Sequence, residues 1–180
     1  AGITPPMFNG VKIDAYACSS ELSGKSGSTP DGIGTFCHEF SHNLGLPDLY
    51  DIDYSGGYGM YIWSLMDAGC YCGPNLCGEV PCNFTGYERW LCGWSDLTEL
   101  KEGCVIDDMP SVSAYGPTYL VRNRSYADEY YLLENRQQTG WDAYLPAHGL
   151  LVMHVDYDRN AWLDNTVNDV RGHQRFVTIP

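Results

Sequence analysis

Basic residues are scarce in this chain. Ten Lys and Arg stand against 23 Asp and Glu, a formal charge of −13, and a field of that sign repels phosphate backbones and anionic membrane surfaces. Nucleic acid is therefore not an expected partner. Long apolar runs are missing as well: none approaches the roughly 20 residues that cross a bilayer, so no membrane span is expected. No basic-then-apolar leader opens the chain, and the expectation is that a signal has been removed or that the chain is a fragment. No fixed-period repeat is visible, and charged residues make up only 18% beside 44% hydrophobic and 13% aromatic. That balance excludes collagen, coiled coil and disorder. The 180 residues are enough for one domain with a real core.

Cysteine is what the chain has in excess. Eight occur, at 18, 37, 70, 72, 77, 82, 92 and 104, an even number and many for a cytosolic chain of this size. The sequence thus predicts an extracytoplasmic protein, secreted, cell-surface or periplasmic, with most cysteines in disulfides. The group at 70, 72, 77 and 82 is expected to staple an irregular loop. Its alternative is a thiolate metal site, although the spacing lacks paired C-x₂-C knuckles.

A Ser/Gly-rich run at 19–28 reads as a loop, and one or two strands are expected around 11–17. A helix is then predicted over 30–44, with Thr29 as N-cap, Pro30 at the first helical position and Gly45 as the left-handed residue that ends it. At about 100° per residue, Ile33, Phe36, Cys37, Phe40 and Leu44 form one stripe, read as the core face, while His38, Glu39 and His42 lie opposite. Residues 46–83 show little periodicity, and 87–91 are read as a short helix. Short β-branched or aromatic runs at 118–121, 130–134, 149–155 and 176–179 predict an antiparallel sheet.

His38-Glu39-Phe40-Ser41-His42 is the pattern HExxH. Two His one helical turn apart project to the same side and suit a tetrahedral zinc, while Glu39 can reach a coordinated water as general base. Beyond the helix, Gly45 permits a sharp turn that can swing Asp48 back as a third ligand; the alternative for Asp48 is a turn residue after Pro47.

The run HEFSHNLGLPDLYDIDYSGG from His38, WSLMDAG from Trp63, YERWLCGW from Tyr87, YLLENRQ from Tyr131 and GLLVMHVD from Gly149 together resemble the immune inhibitor A family of secreted bacterial zinc metallopeptidases, in order from about Tyr16 onward. The resemblance implies an α+β, zincin-like catalytic domain with an HExxH active-site helix, an irregular disulfide-rich segment and C-terminal antiparallel strands. It implies zinc on His38, His42 and Asp48, Glu39 as catalytic acid/base and Met66 as a Met-turn under the metal. It also implies an endopeptidase of broad protein and peptide substrate range, stabilised in some members by calcium. The cysteines at 70, 72, 77 and 82 depart from the family pattern. On this reading residues 1–180 are a partial catalytic domain, 1–44 ending an N-terminal subdomain and 45–180 forming a C-terminal one. An excised portion of this kind would leave the apolar stripe of the helix short of cover.

Several polar residues compete for roles. Glu134 is the rival third ligand, with a salt bridge to Arg136 or Arg89 as the favoured alternative. His154 and Asp156 are read as core polar pairs. Asp48, Asp51 and Asp53 form an acidic loop that is either a calcium site or simply solvated. A rival of another class, a secreted adhesion or carbohydrate-associated module with structural zinc, would be expected to close its metal with four protein ligands.

Overall fold

A computed structural model describes residues 4–13, 15–24 and 27–179. Position 14 of the expected strand region and positions 25 and 26 of the expected loop lie outside them. Two small hairpins come first. Strands β1 (Met7–Phe8) and β2 (Val11–Lys12) pair antiparallel around Asn9-Gly10, whose φ angles of 49° and 80° are those a two-residue type I′ turn requires. Strands β3 (Leu22–Ser23) and β4 (Thr29–Pro30) form the second hairpin.

Helix α1 spans Ile33–His42, shorter than the predicted 30–44. Thr29 and Pro30 belong to β4, and Gly32 is the N-cap without a side-chain cap bond. The start is set from outside the helix: Gly32 N and Gly34 N donate to the carbonyls of Cys77 and Gly78 at 3.2 and 2.9 Å. The buried face is corrected too. Ile33, Phe36, Phe40 and Leu44 are between 42 and 51% exposed, whereas Gly34, His38 and Ser41 are buried. Gly34 explains the choice: a Cβ there would lie 1.8 Å from the Cys70 carbonyl oxygen, so its absence lets the polar side of α1 lie against the 3₁₀ turn Ala68–Tyr71. The helix ends at His42, two residues before the expected 44, and Gly45 takes the expected left-handed place in the closing turn. Gly45 has φ 92°, and Leu46 N donates back to Ser41 O at 3.2 Å, a Schellman closure.

The segment from Leu46 to Phe84 is irregular, with a further 3₁₀ turn at Tyr61–Trp63. The disulfides expected to hold it are not present: all eight cysteines are free thiols. Backbone bonds take their place, among them Leu49 N to Met66 O at 2.8 Å, Gly69 N to Ser64 O at 3.0 Å and Cys82 N to Gly69 O at 3.0 Å.

After helix α2 (Gly86–Leu91) the chain builds a five-stranded sheet in sequence order: β5 (Leu97–Glu99), β6 (Thr118–Arg122), β7 (Glu129–Arg136), β8 (Gly149–Asp156) and β9 (Phe176–Ile179), with helix α3 (Arg159–Leu163) between the last two. All pairs are antiparallel except β5 with β6, which is parallel; three residues are too short a run for the sequence to have marked β5. Alternation puts Tyr130, Leu132, Glu134 and Arg136 of β7 and Leu151, Met153 and Val155 of β8 on one buried face. There they meet Met66, Tyr87, Leu49 and Phe176 in the main core. Among the described residues, no helix is long and apolar enough to cross a membrane.

Candidate metal centre

The two imidazoles of α1 are aimed by backbone carbonyls. His38 Nδ1 lies 2.9 Å from Leu65 O, and His42 Nδ1 lies 2.8 Å from Leu46 O. Donation from each Nδ1–H leaves each Nε2 lone pair facing inward. The turn closed by Gly45 then delivers Asp48, whose Oδ1 sits 3.1 Å from His38 Nε2 and 3.4 Å from His42 Nε2. Asn165, across the chain, grips Asp48 twice: its amide donates to Asp48 Oδ2 and its oxygen accepts from Asp48 N, both at 2.7 Å.

Asp48 Oδ1 is buried and receives no hydrogen bond. Together with the two Nε2 atoms it makes the one group of three potential ligand residues among those described, its atoms within 4.8 Å of one another. A buried carboxylate oxygen and two ring nitrogens, all lone-pair donors, are the chemistry of a zinc site. In the metal-free chain the same carboxylate attracts a proton: burial opposes charge on His38, yet Asp48, the Cys70 thiol and the Leu65 carbonyl outweigh it and push its pKa up to about 10, so a metal would have to displace that proton to take the Nε2 lone pair. Asp48 likewise raises His42. Burial works against the Asp48 carboxylate, but His38, His42 and Asn165 hold it below the usual carboxylate range. The centre favours positive charge.

Beneath it lies a clamped loop. Glu88 of α2, fully buried, accepts from Ser64 Oγ and Met66 N through Oε1, and from Thr85 N and Oγ1 through Oε2. Burial raises its pKa despite those donors. Arg136 of β7 donates to Trp63 O at 3.1 Å, and its charge is met by Glu134 at 3.1 Å and Asp142 at 2.6 Å. Residues 63–66 are thus held from both sides, which places the Leu65 carbonyl under His38, with Met66 fully buried beside it. Glu134 is accounted for by Arg136, Gly86 N and Thr118 Oγ1 and is not among the grouped ligand residues.

Glu39 borders a cleft of about 450 Å³ that it shares with His38, Tyr50, Tyr71, Asp67 and Cys70. The acidic loop next to it does not gather three carboxylates. Asp51 Oδ2 accepts from Gly56 N and Gly57 N at 2.7 Å each, and Asp53 Oδ1 from Ser55 N at 2.8 Å, so both shape the turn. Cys70, Cys72, Cys77 and Cys82 form no thiolate group among the described residues. His154 pairs with Glu129 at 2.9 Å, and Asp156 with Arg175 at 2.9 Å, as polar pairs.

Sequence reasoning missed the supports: Asn165, Arg136 in its role under Trp63, and Glu88. Only Glu88 carried a local signal, the capping box Thr85-x-x-Glu88.

Residues 26–93 match the catalytic domain of the immune inhibitor A peptidase M6 family. This stretch includes α1, Asp48, Met66 and α2, and over it the resemblance read from the sequence is borne out. A stretch of 75 residues is 35% identical to Immune inhibitor A of Bacillus thuringiensis subsp. alesti, covering 38% of this chain and 11% of that protein. Another of 57 residues is 39% identical to Pre-pro-metalloprotease PrtV of Vibrio cholerae serotype O1 (strain M66-2), covering 31% of this chain and 6% of that protein. The matches therefore span a small part of either relative. No solved structure matches the chain.

Proposed function

We propose that this chain carries the catalytic centre of a zinc-dependent endopeptidase that works outside the cytoplasm on protein or peptide substrates, with His38, His42 and Asp48 holding the metal. The observation that carries the reading is the shielded Asp48 Oδ1, which takes no hydrogen bond and lies 3.1 and 3.4 Å from two Nε2 atoms. The family match over 26–93 supports it. So does the count of grouped ligands: three among the described residues rather than four, which favours an open catalytic position over a closed structural site.

Zinc bound there would lower the pKa of a coordinated water and polarise a peptide carbonyl. The chain's own residues supply the rest. Glu39, half-buried on the cleft wall next to the first ligand, takes the proton of the attacking water and returns it to the leaving amine. The Leu65 and Leu46 carbonyls hold the imidazoles in register, and Asn165 holds Asp48. The tyrosine-lined cleft beside Glu39 receives the substrate chain.

The test is hydrolysis of denatured casein by the zinc-loaded chain. Glu39→Gln should keep zinc and fold yet lose about a hundredfold or more of the turnover, since an amide cannot take the proton. Near-parental turnover in a zinc-loaded Glu39→Gln protein would contradict the assignment.

A further inference from the structure

A second concavity of about 630 Å³ shares no lining residue with the cleft at Glu39. Its walls come from α2, the 3₁₀ turns Val112–Ala114 and Gly140–Asp142, and the chain between them. Three large rings border it with half or more of their surface in water: Trp94 at 55%, Trp141 at 53% and Tyr115 at 95%. Trp94 is held in place, edge-on against Phe84 at 5.3 Å.

Arg89 lines the same groove, half-buried; its side chain makes no hydrogen bond or ion pair, and its Nε is shielded from water without a partner. Arg122, Arg124, Arg136 and Arg175 pair with carboxylates, and Arg89, Arg159 and Arg171 do not; among the described arginines, Arg89 alone has a side-chain nitrogen shielded from water without a partner. A shielded N–H without an acceptor costs stability unless something supplies one.

We propose that this groove is a binding site, distinct from the metal centre, for a carboxylate-bearing saccharide such as a uronic or sialic acid unit. The sugar carboxylate takes the fork of Arg89. Its apolar C–H faces lie on the exposed rings, which offer rigid amphipathic area at little entropic cost. Asn83 and Asp96, at the rim, bond to its hydroxyls.

Binding to the zinc-loaded chain, followed by tryptophan fluorescence and calorimetry, tests this independently of any hydrolysis. The probes are trigalacturonate against its uncharged methyl ester, and 3′-sialyllactose against lactose. At least one acid should bind saturably, about tenfold or more tighter than its neutral counterpart. Arg89→Gln should erase that difference, and Trp141→Ala, at an exposed position, should weaken both members of the pair without disturbing the fold. Failure of both acids to bind, equal binding of acid and neutral forms, a preference that survives Arg89→Gln, or a triglutamate peptide binding as tightly as the acidic sugar would overturn the proposal.

Discussion

At the scale of single residues, the arrangement of His38, His42 and Asp48 depends on groups outside that trio. Asn165 is the clearest. Its amide supplies two bonds of 2.7 Å to Asp48, one to the side chain and one to the backbone, and partners of this kind typically change metal affinity by about 10–100-fold. Asn165→Ala is therefore expected to weaken zinc binding by about that factor in a competition titration with a chelator; unchanged affinity would mean that Asp48 is not the ligand it orients. Arg136 is the stability counterpart. It is fully buried with Glu134 and Asp142, and Arg136→Leu strands two carboxylates in the core, so urea unfolding should show a loss of about 3–5 kcal/mol. Glu88→Gln should also destabilise, because each of its oxygens accepts a backbone N–H and an amide nitrogen would face one of them.

At the scale of elements, α1 shows what a local pattern conveys and what it cannot. The HExxH spacing, the Gly45 stop and the return of position 48 were legible because they follow from helical geometry and one glycine. Gly45→Ala should accordingly cost about 1–2 kcal/mol through its positive φ alone, since a Cβ there meets nothing within 4 Å; a fall in melting temperature accompanied by weaker zinc binding is the expected signature. Which face of α1 is buried was not legible, because amphipathic pattern alone cannot see that Gly34 invites the Cys70 backbone onto the polar side. The consequence is an exposed apolar strip with Phe36 and Phe40 stacked at 6.0 Å. The strands of the sheet were legible from their alternation. The cross-chain supports were not: Asn165 lies 117 residues from Asp48, and no local signal reports a contact of that range.

At the scale of the whole molecule, free cysteines leave cohesion to the core and to buried polar groups, and this makes stability depend on pH. Burial pushes Asp67 up to about 7, against the N–H groups of Ala68, Tyr61 and Met60. The folded chain thus holds a proton that the unfolded chain releases near its ordinary value of 3.8, and this contribution to stability is present below that value and lost as pH rises toward about 7. In the metal-free chain, Asp67→Asn should flatten the fall in stability over this range; an unchanged slope in denaturant titrations would remove Asp67 as its source. The central claim is that one zinc sits between α1 and Asp48 rather than among the thiols at 70–82. X-ray absorption on the zinc-loaded chain reads this directly. The account predicts a shell of nitrogen and oxygen only, at about 2.0–2.2 Å, with the outer scattering of two imidazoles. Sulfur at about 2.3 Å would contradict it.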